Sequence, residues 1–145
     1  MQIKIKKIKE NAKLPFRATN ESAGLDLFAC LTEEITLEPM QRAVIPTGIS
    51  IEIPSSYTAF IYARSGLAVK NGITLSNCVG VIDSDYRGEI CVGLINQSDK
   101  AYKIKKDERI AQLIVQKIEL PEIIQVENLS ETKRDKGGFG SSGRF

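Results

Sequence analysis

The chain has 145 residues, 42% of them hydrophobic and 26% charged, with a formal net charge of +2. That length favours one domain with a real core, and the near-balanced charge gives no global field for nucleic acid, so an anionic ligand has to be held by local groups. The chain has no histidine, which removes His-based triads, Cys–His dyads and ordinary zinc hydrolases.

At the N-terminus, Ile3, Ile5 and Ile8 interleave with Lys4, Lys6, Lys7 and Lys9. The near-alternation reads as a half-buried strand with a basic outer face, not as a targeting segment. No apolar run is long enough to cross a bilayer, so the expectation is a cytoplasmic protein without membrane contact. Ser22 to Leu27 places one acid, Asp26, inside an apolar strand. Ile49, Ile51 and Ile53 alternate with Ser50 and Glu52 between Gly48 and Pro54, a period-two strand. Tyr57 to Ala63 is aromatic and apolar, and Ser65 to Asn71 is the one segment suited to a short helix. Glu89 to Ile95 and Ile110 to Ile118 are further β-rich runs. Pro39, Pro46, Pro54 and Pro121 fall between runs, where a missing N–H breaks no ladder. Many short strands with little helix predict an all-β sandwich, jelly roll or small barrel. Cys30, Cys78 and Cys91 form no C-x-x-C pair and lie in apolar surroundings, so three buried free thiols are expected.

From Ser130 to Phe145 the character changes to polar, charged and glycine-rich. The expected organisation is a β-domain over 1–129 followed by an arm over 130–145, either a loose end or a lid that orders on a ligand. Glycines let backbone N–H groups approach phosphate oxygens, and serine hydroxyls add donors.

Several segments combine residue types suited to nucleotide chemistry. Arg64-Ser65-Gly66 follows an apolar strand and opens the predicted helix, which suits an anion pocket as well as an ordinary turn. Asn77 to Glu89 runs from an apolar strand into Asp83, Asp85, Tyr86 and Arg87. It reads as a charged hairpin turn or as a carboxylate placed to orient water beside an aromatic ring. Asp26 suits a solvent-facing position or help in holding Mg²⁺. Gln112 suits a satisfied polar group or a ligand donor.

In order, Ala-Gly-Leu-Asp-Leu (23–27), Arg-Ser-Gly-Leu-Ala (64–68), Gly-Val-Ile-Asp-Ser-Asp-Tyr-Arg-Gly-Glu (80–89), Arg-Ile-Ala-Gln-Leu (109–113) and Gly-Gly-Phe-Gly-Ser-Ser-Gly (137–143) resemble the five motifs of the trimeric dUTP pyrophosphatase family. The resemblance spans nearly the whole chain. It implies a jelly-roll-like subunit, a homotrimer with active sites at subunit junctions, and Mg²⁺-assisted hydrolysis of dUTP to dUMP and pyrophosphate. Such a reaction limits uracil in DNA and supplies dUMP for dTMP synthesis. Asp83 is then expected to orient and deprotonate the attacking water, and Tyr86 to pack against the deoxyribose. Asn77 and the backbone of Gly80, Val81 and Ile82 are expected to read uracil. Arg64, Ser65, Gly66 and Gln112 are expected at the phosphates, and Asp26 near Mg²⁺ through water. On the arm, Arg134, Ser141 and Ser142 are expected to clasp the γ-phosphate, with Phe139 and Gly140 closing over the base.

This sequence departs from the family pattern in places. Asp107-Glu108 stands where Gly and an acid are usual, which questions that turn. Asp135 stands where Gly usually follows the arm arginine. Ser142 replaces a common Thr, and Leu25 a frequent Tyr. A dCTP deaminase-type relative shares the fold and is one alternative. A nucleotide-gated regulator of a protein partner is another.

Overall fold

The structure, a computed structural model, describes residues 1–138 and Ser141. Eleven strands and one helix follow in chain order. They are β1 (Lys4–Lys7), β2 (Leu25–Phe28), β3 (Ile35–Leu37), β4 (Arg42–Pro46), β5 (Ile49–Glu52), β6 (Tyr57–Tyr62), α1 (Ser65–Asn71), β7 (Ile73–Leu75), β8 (Gly80–Ile82), β9 (Cys91–Asn96), β10 (Tyr102–Ile104) and β11 (Arg109–Lys117). The all-β, jelly-roll-like class expected from the sequence is the one observed, and the helix occupies the expected segment.

All pairing is antiparallel and much of it is long-range. The largest sheet has the order β2-β11-β6-β8, a second is β4-β9-β7, and β1-β5 and β3-β10 form two-stranded ribbons. Because the strands are short, one buried side chain every second residue suffices to weld the sheets. Leu27, Leu113 and Ile61 from the large sheet meet Ile45, Val92, Leu94 and Ile73 from the second in a single buried cluster. Asn96 is the polar exception, fully buried at 0% exposure. Its amide donates to Leu37 O at 2.8 Å and Lys100 O at 2.7 Å, while its Oδ1 accepts from Ser98 N at 2.9 Å and Ser98 Oγ at 2.7 Å. One side chain thus satisfies a corner where β3 and the β9–β10 connection converge.

The basic strand at the N-terminus forms as expected, paired to β5 with Lys4 opposite Glu52. The Lys4 hydrogen bond and charge hold the exposed Glu52 carboxyl below the usual carboxylate range. Ile8 lies beyond this strand and is exposed. Pro46 is the last residue of β4 and not outside it. It is tolerated because β4 is an edge strand, so its missing N–H leaves no neighbour unpaired. Among the described residues, no helix is long and apolar enough to cross a membrane.

The cysteines differ from expectation. All three are free and Cys30 is buried, but Cys78 and Cys91 are exposed. Cys78 sits at φ 62° in the turn before β8, outside any strand whose pairing would bury it. Cys91 opens β9 at an outward position, with Val92, Leu94 and Asn96 filling the inward ones. Partial burial, and then the Glu89 carboxylate, push the Cys91 thiol up, which argues against a thiolate nucleophile.

Candidate active site

The central group is Asp26. It lies in β2 between β11 on one side and a bridge to Phe16 on the other. Its Oδ1 accepts from Arg64 Nε and its Oδ2 from Arg109 Nη1, each at 3.0 Å. Arg64 also donates to Arg109 O at 3.0 Å, which ties the helix start to the head of β11. Asp26 is only 13% exposed at its side chain, so these are partly desolvated, charge-assisted contacts and not loose surface pairs. One carboxylate against two guanidinium groups leaves the spot with an excess positive charge.

Gln112 stands beside Asp26 in register on β11. Its amide donates to Ala63 O at 3.0 Å. A Cβ at Gly24 would lie 2.5 Å from Gln112 Oε1, so glycine at that point leaves the amide its place. Ser65 and Gly66 open α1 behind the extended Arg64, and their N–H groups belong to the first turn, which has no intrahelical acceptors for them. Gly66 has nothing within 4 Å of a built Cβ, whereas every other named motif glycine before the arm is crowded. Asp26, Arg64, Ser65, Gly66, Arg109 and Gln112 line one cavity of about 390 Å³.

Asp83 and Tyr86 lie elsewhere. They line a second cavity of about 230 Å³ with Val81, Ile82, Glu89 and Cys91. Gly80, Val81 and Ile82 form β8, the edge strand against β6. The segment after it is not the β-hairpin the sequence suggested, because β8 and the following β9 belong to different sheets and do not pair, so residues 83–90 form a turn that crosses between sheets. Gly80 has an internal reason as well, since a Cβ there would press on Ile61 Cβ at 3.1 Å. Asn77 is exposed in the preceding turn, and its carbonyl accepts from Val79 N at 2.7 Å. Ile82 faces Ala59 of β6, which in turn faces Val115, three positions past Gln112 on β11. At about 4.8 Å per strand and 3.4 Å per residue, the Gln112 and Ile82 Cα atoms are roughly 14 Å apart. The two groups of predicted residues therefore occupy separate places on one chain.

On the arm, Arg134 donates to Gly137 O at 2.9 Å and Ser141 N donates to Gly138 O at 3.1 Å, both local to the arm among the described residues. Neither lines the Asp26 cavity. Phe139, Gly140 and Ser142 lie outside the described residues.

The doubtful turn has an answer. Asp107 adopts φ 61°, the left-handed conformation for which glycine is the usual choice and Asp a tolerated one. Its N–H donates to Ala29 O at 2.9 Å, and its carboxylate pairs with Lys13 at 3.2 Å. Glu108 accepts from Tyr102 Oη and from Lys105 N, the latter at 2.9 Å. The turn geometry survives the substitution and delivers Arg109 to Asp26. Asp135 likewise adopts a positive φ of 42°.

Arg109 is the residue that sequence reasoning passed over. It was visible at the head of the Gln112 strand, and an acid between leucines is itself a signal that nearby cations have to answer it.

An antiparallel β subunit with a half-buried carboxylate bracketed by two arginines, beside a helix start and an amide, has the makings of an anion-binding site. The comparisons narrow this class. The dUTPase family model matches residues 10–143. A deoxyuridine 5'-triphosphate nucleotidohydrolase of Hydrogenobaculum sp. is 49% identical over 143 residues, covering 99% of each chain. A mutant dUTPase of Staphylococcus bacteriophage 80alpha, solved with dUpNHpp, superimposes with TM-score 0.89 at 31% identity and covers 98% of each chain. A mutant dUTPase from phage phi11 of S. aureus, whose structure reveals the coordination of a structural Mg(II) ion, gives TM-score 0.82 at 26% identity, covering 90% of this chain and 100% of that one. The chain belongs to the dUTPase family.

Proposed function

We propose that the Asp26 cavity is the triphosphate half of an active site whose other half, the Asp83–Tyr86 turn, comes from a neighbouring copy in a homotrimer. The chain hydrolyses dUTP to dUMP and pyrophosphate, as its family membership and near-half identity to a curated relative imply. The observation that carries the shared-site reading is the separation within one chain. A water hydrogen-bonded to a carboxylate and poised on phosphorus spans no more than about 6 Å. The cradle and the Asp83 segment line different cavities of one chain, with roughly 14 Å between the Gln112 and Ile82 Cα atoms, and a neighbouring copy that brings its Asp83 segment to this chain's cradle unites them.

A second copy also answers an exposed surface. After β11 the chain runs on through Leu120, Ile123, Ile124 and Leu129, with Ile123 95% and Leu129 86% exposed. Large apolar side chains at this density call for cover, and a second and third copy of this chain supply it.

In the assembled site, Arg64, the N–H groups of Ser65 and Gly66, and Gln112 hold phosphate oxygens. The open space over Gly66 suits close approach of an oxyanion to backbone. Asp83 orients the attacking water toward the α-phosphorus and takes up its proton. Tyr86 packs against the deoxyribose, while Asn77 and the backbone of Gly80, Val81 and Ile82 read the uracil edge. Residues 130–145 form an arm separate from the 1–129 domain and close over the nucleotide. Arg134, Ser141 and Ser142 then sit on the γ-phosphate, and Phe139 and Gly140 over the base. Asp135 adds a negative charge beside that clasp. Closure excludes bulk water and strengthens each contact to phosphate.

Mg²⁺ fits this donor set in one manner only. Among the described residues no three His, Cys, Asp or Glu side chains converge on a metal position, and both Asp26 oxygens already accept from arginine. A single occupied carboxylate suits an ion that keeps its waters and is carried by the phosphates. Asp26 is the residue that would take a hydrogen bond from that hydration shell. When bound, the ion supplies neutralisation of charge on the departing pyrophosphate.

Product analysis with Mg²⁺ and dUTP, dCTP, dTTP or UTP tests this reading, with Asp83→Asn as the control. Turnover of dUTP alone, falling about a thousandfold in the variant while binding of a non-hydrolysable analogue persists, is the expected result. Ammonia from dCTP would move the chain to the deaminase alternative. Nucleotide binding without turnover would leave regulation of a partner protein as the better reading.

A further inference from the structure

Gly88 stands at the foot of the Asp83–Tyr86 turn, between β8 and β9. A Cβ built on it would lie 2.5 Å from Tyr86 Cζ and closer still to Tyr86 Oη. The tyrosine ring is folded back over the Gly88 backbone, and its hydroxyl donates to Glu89 O at 3.1 Å. The chain beneath it is pinned from both sides. Tyr86 N donates to Asp83 O at 3.2 Å, and Arg87 Nη1 donates to Ser84 O at 2.7 Å and Tyr86 O at 3.0 Å.

Backbone conformation does not demand glycine here. Gly48 and Gly72 have φ of 69° and 67°, which side chains rarely adopt, whereas Gly88 is not among the positive-φ glycines. Its crowding comes from the aromatic ring. An added methyl would push the ring off its seat and break the hydrogen bond to Glu89 O.

We propose that Gly88 is a positioning residue for sugar selection: its missing side chain seats the Tyr86 ring where it leaves no room for a ribose 2′-hydroxyl. This rests on the assignment of Tyr86 to the sugar. Gly88 itself touches no substrate. It acts by fixing one ring in one place, because shape exclusion of a hydroxyl fails once the excluding wall moves.

The test compares kcat/KM for dUTP and UTP in four proteins: wild type, Gly88→Ala, Tyr86→Ala, and the double variant. Gly88→Ala is expected to keep dUTP turnover within a few-fold and to lower the dUTP-over-UTP ratio about tenfold or more. In the Tyr86→Ala background there is no ring to displace, so adding Gly88→Ala is expected to leave the ratio unchanged. An undiminished ratio in Gly88→Ala, or an equal loss in both backgrounds, overturns the proposal. Should Gly88→Ala fail to fold, recovery of folding in the double variant supports the seat, and a double variant that also fails overturns it. A wild-type protein without dUTP turnover sinks the parent assignment instead, and the melting temperatures of the four proteins then decide whether the ring sits on Gly88.

Discussion

The two regions that the proposed site joins are built in opposite ways. The Asp26 cavity is cross-braced, with one carboxylate, two arginines and an amide each held by a named partner on β2, on β11 or in the Ala63–Arg64 link before α1. The Asp83 turn follows an edge strand, and its side chains bond mainly to their own turn. The contrast teaches what each half has to do. A phosphate cradle must be preorganised, since its worth lies in donors already aimed at where charge develops. A segment beside an edge strand, proposed to read base and sugar, has an open side for a neighbouring chain and a substrate to cover.

The largest expected effect on this comparison comes from removing the brace. Asp26→Asn keeps the volume but gives up the charge that holds both guanidinium groups. Its expected consequence is a rise in KM for dUTP of about ten- to a hundredfold, from two charge-assisted hydrogen bonds weakened together. Parallel titration of a non-hydrolysable analogue checks it. An unchanged KM would mean that the arginines hold their positions without Asp26, and the cradle is not braced in the way described.

A smaller effect is expected at the turn that feeds Arg109 into the brace. Asp107→Gly relieves a side chain at φ 61° but gives up the Lys13 pair, half-exposed and therefore weak. Thermal unfolding is expected to shift by no more than the equivalent of about 1 kcal/mol in either direction. Activity should be retained. A large loss of turnover would show that Asp107 does more than occupy a left-handed position.

Most of the candidate site was legible because its members come in contiguous strings. Arg64-Ser65-Gly66 and the run from Gly80 to Glu89 can be recognised before any pairing is known. The fold class was legible from strand length and punctuation, and the helix from the one segment, Ser65 to Asn71, suited to hold it. What stayed hidden depends on pairing at a distance. Asp26 finds Arg64 at a sequence separation of 38 and Arg109 at 83, and no periodicity encodes that meeting. The exposure of Cys78 and Cys91 was hidden for the same reason. An apolar neighbourhood in sequence does not say which side of a strand or turn faces out. Asn96 is a further case, a polar residue in an apolar strand whose burial rests on carbonyls of Leu37 and Lys100.

The central claim is that one chain's cradle serves another chain's Asp83 turn, and subunit mixing tests it most directly. Arg64→Gln and Asp83→Asn proteins are each expected to be nearly inactive. Unfolded together, refolded and assayed on dUTP, the mixture is expected to regain a substantial part of wild-type activity, because some junctions then join an intact Arg64 to an intact Asp83. A mixture that forms mixed oligomers by mass spectrometry yet stays as inactive as its parents would contradict the shared site.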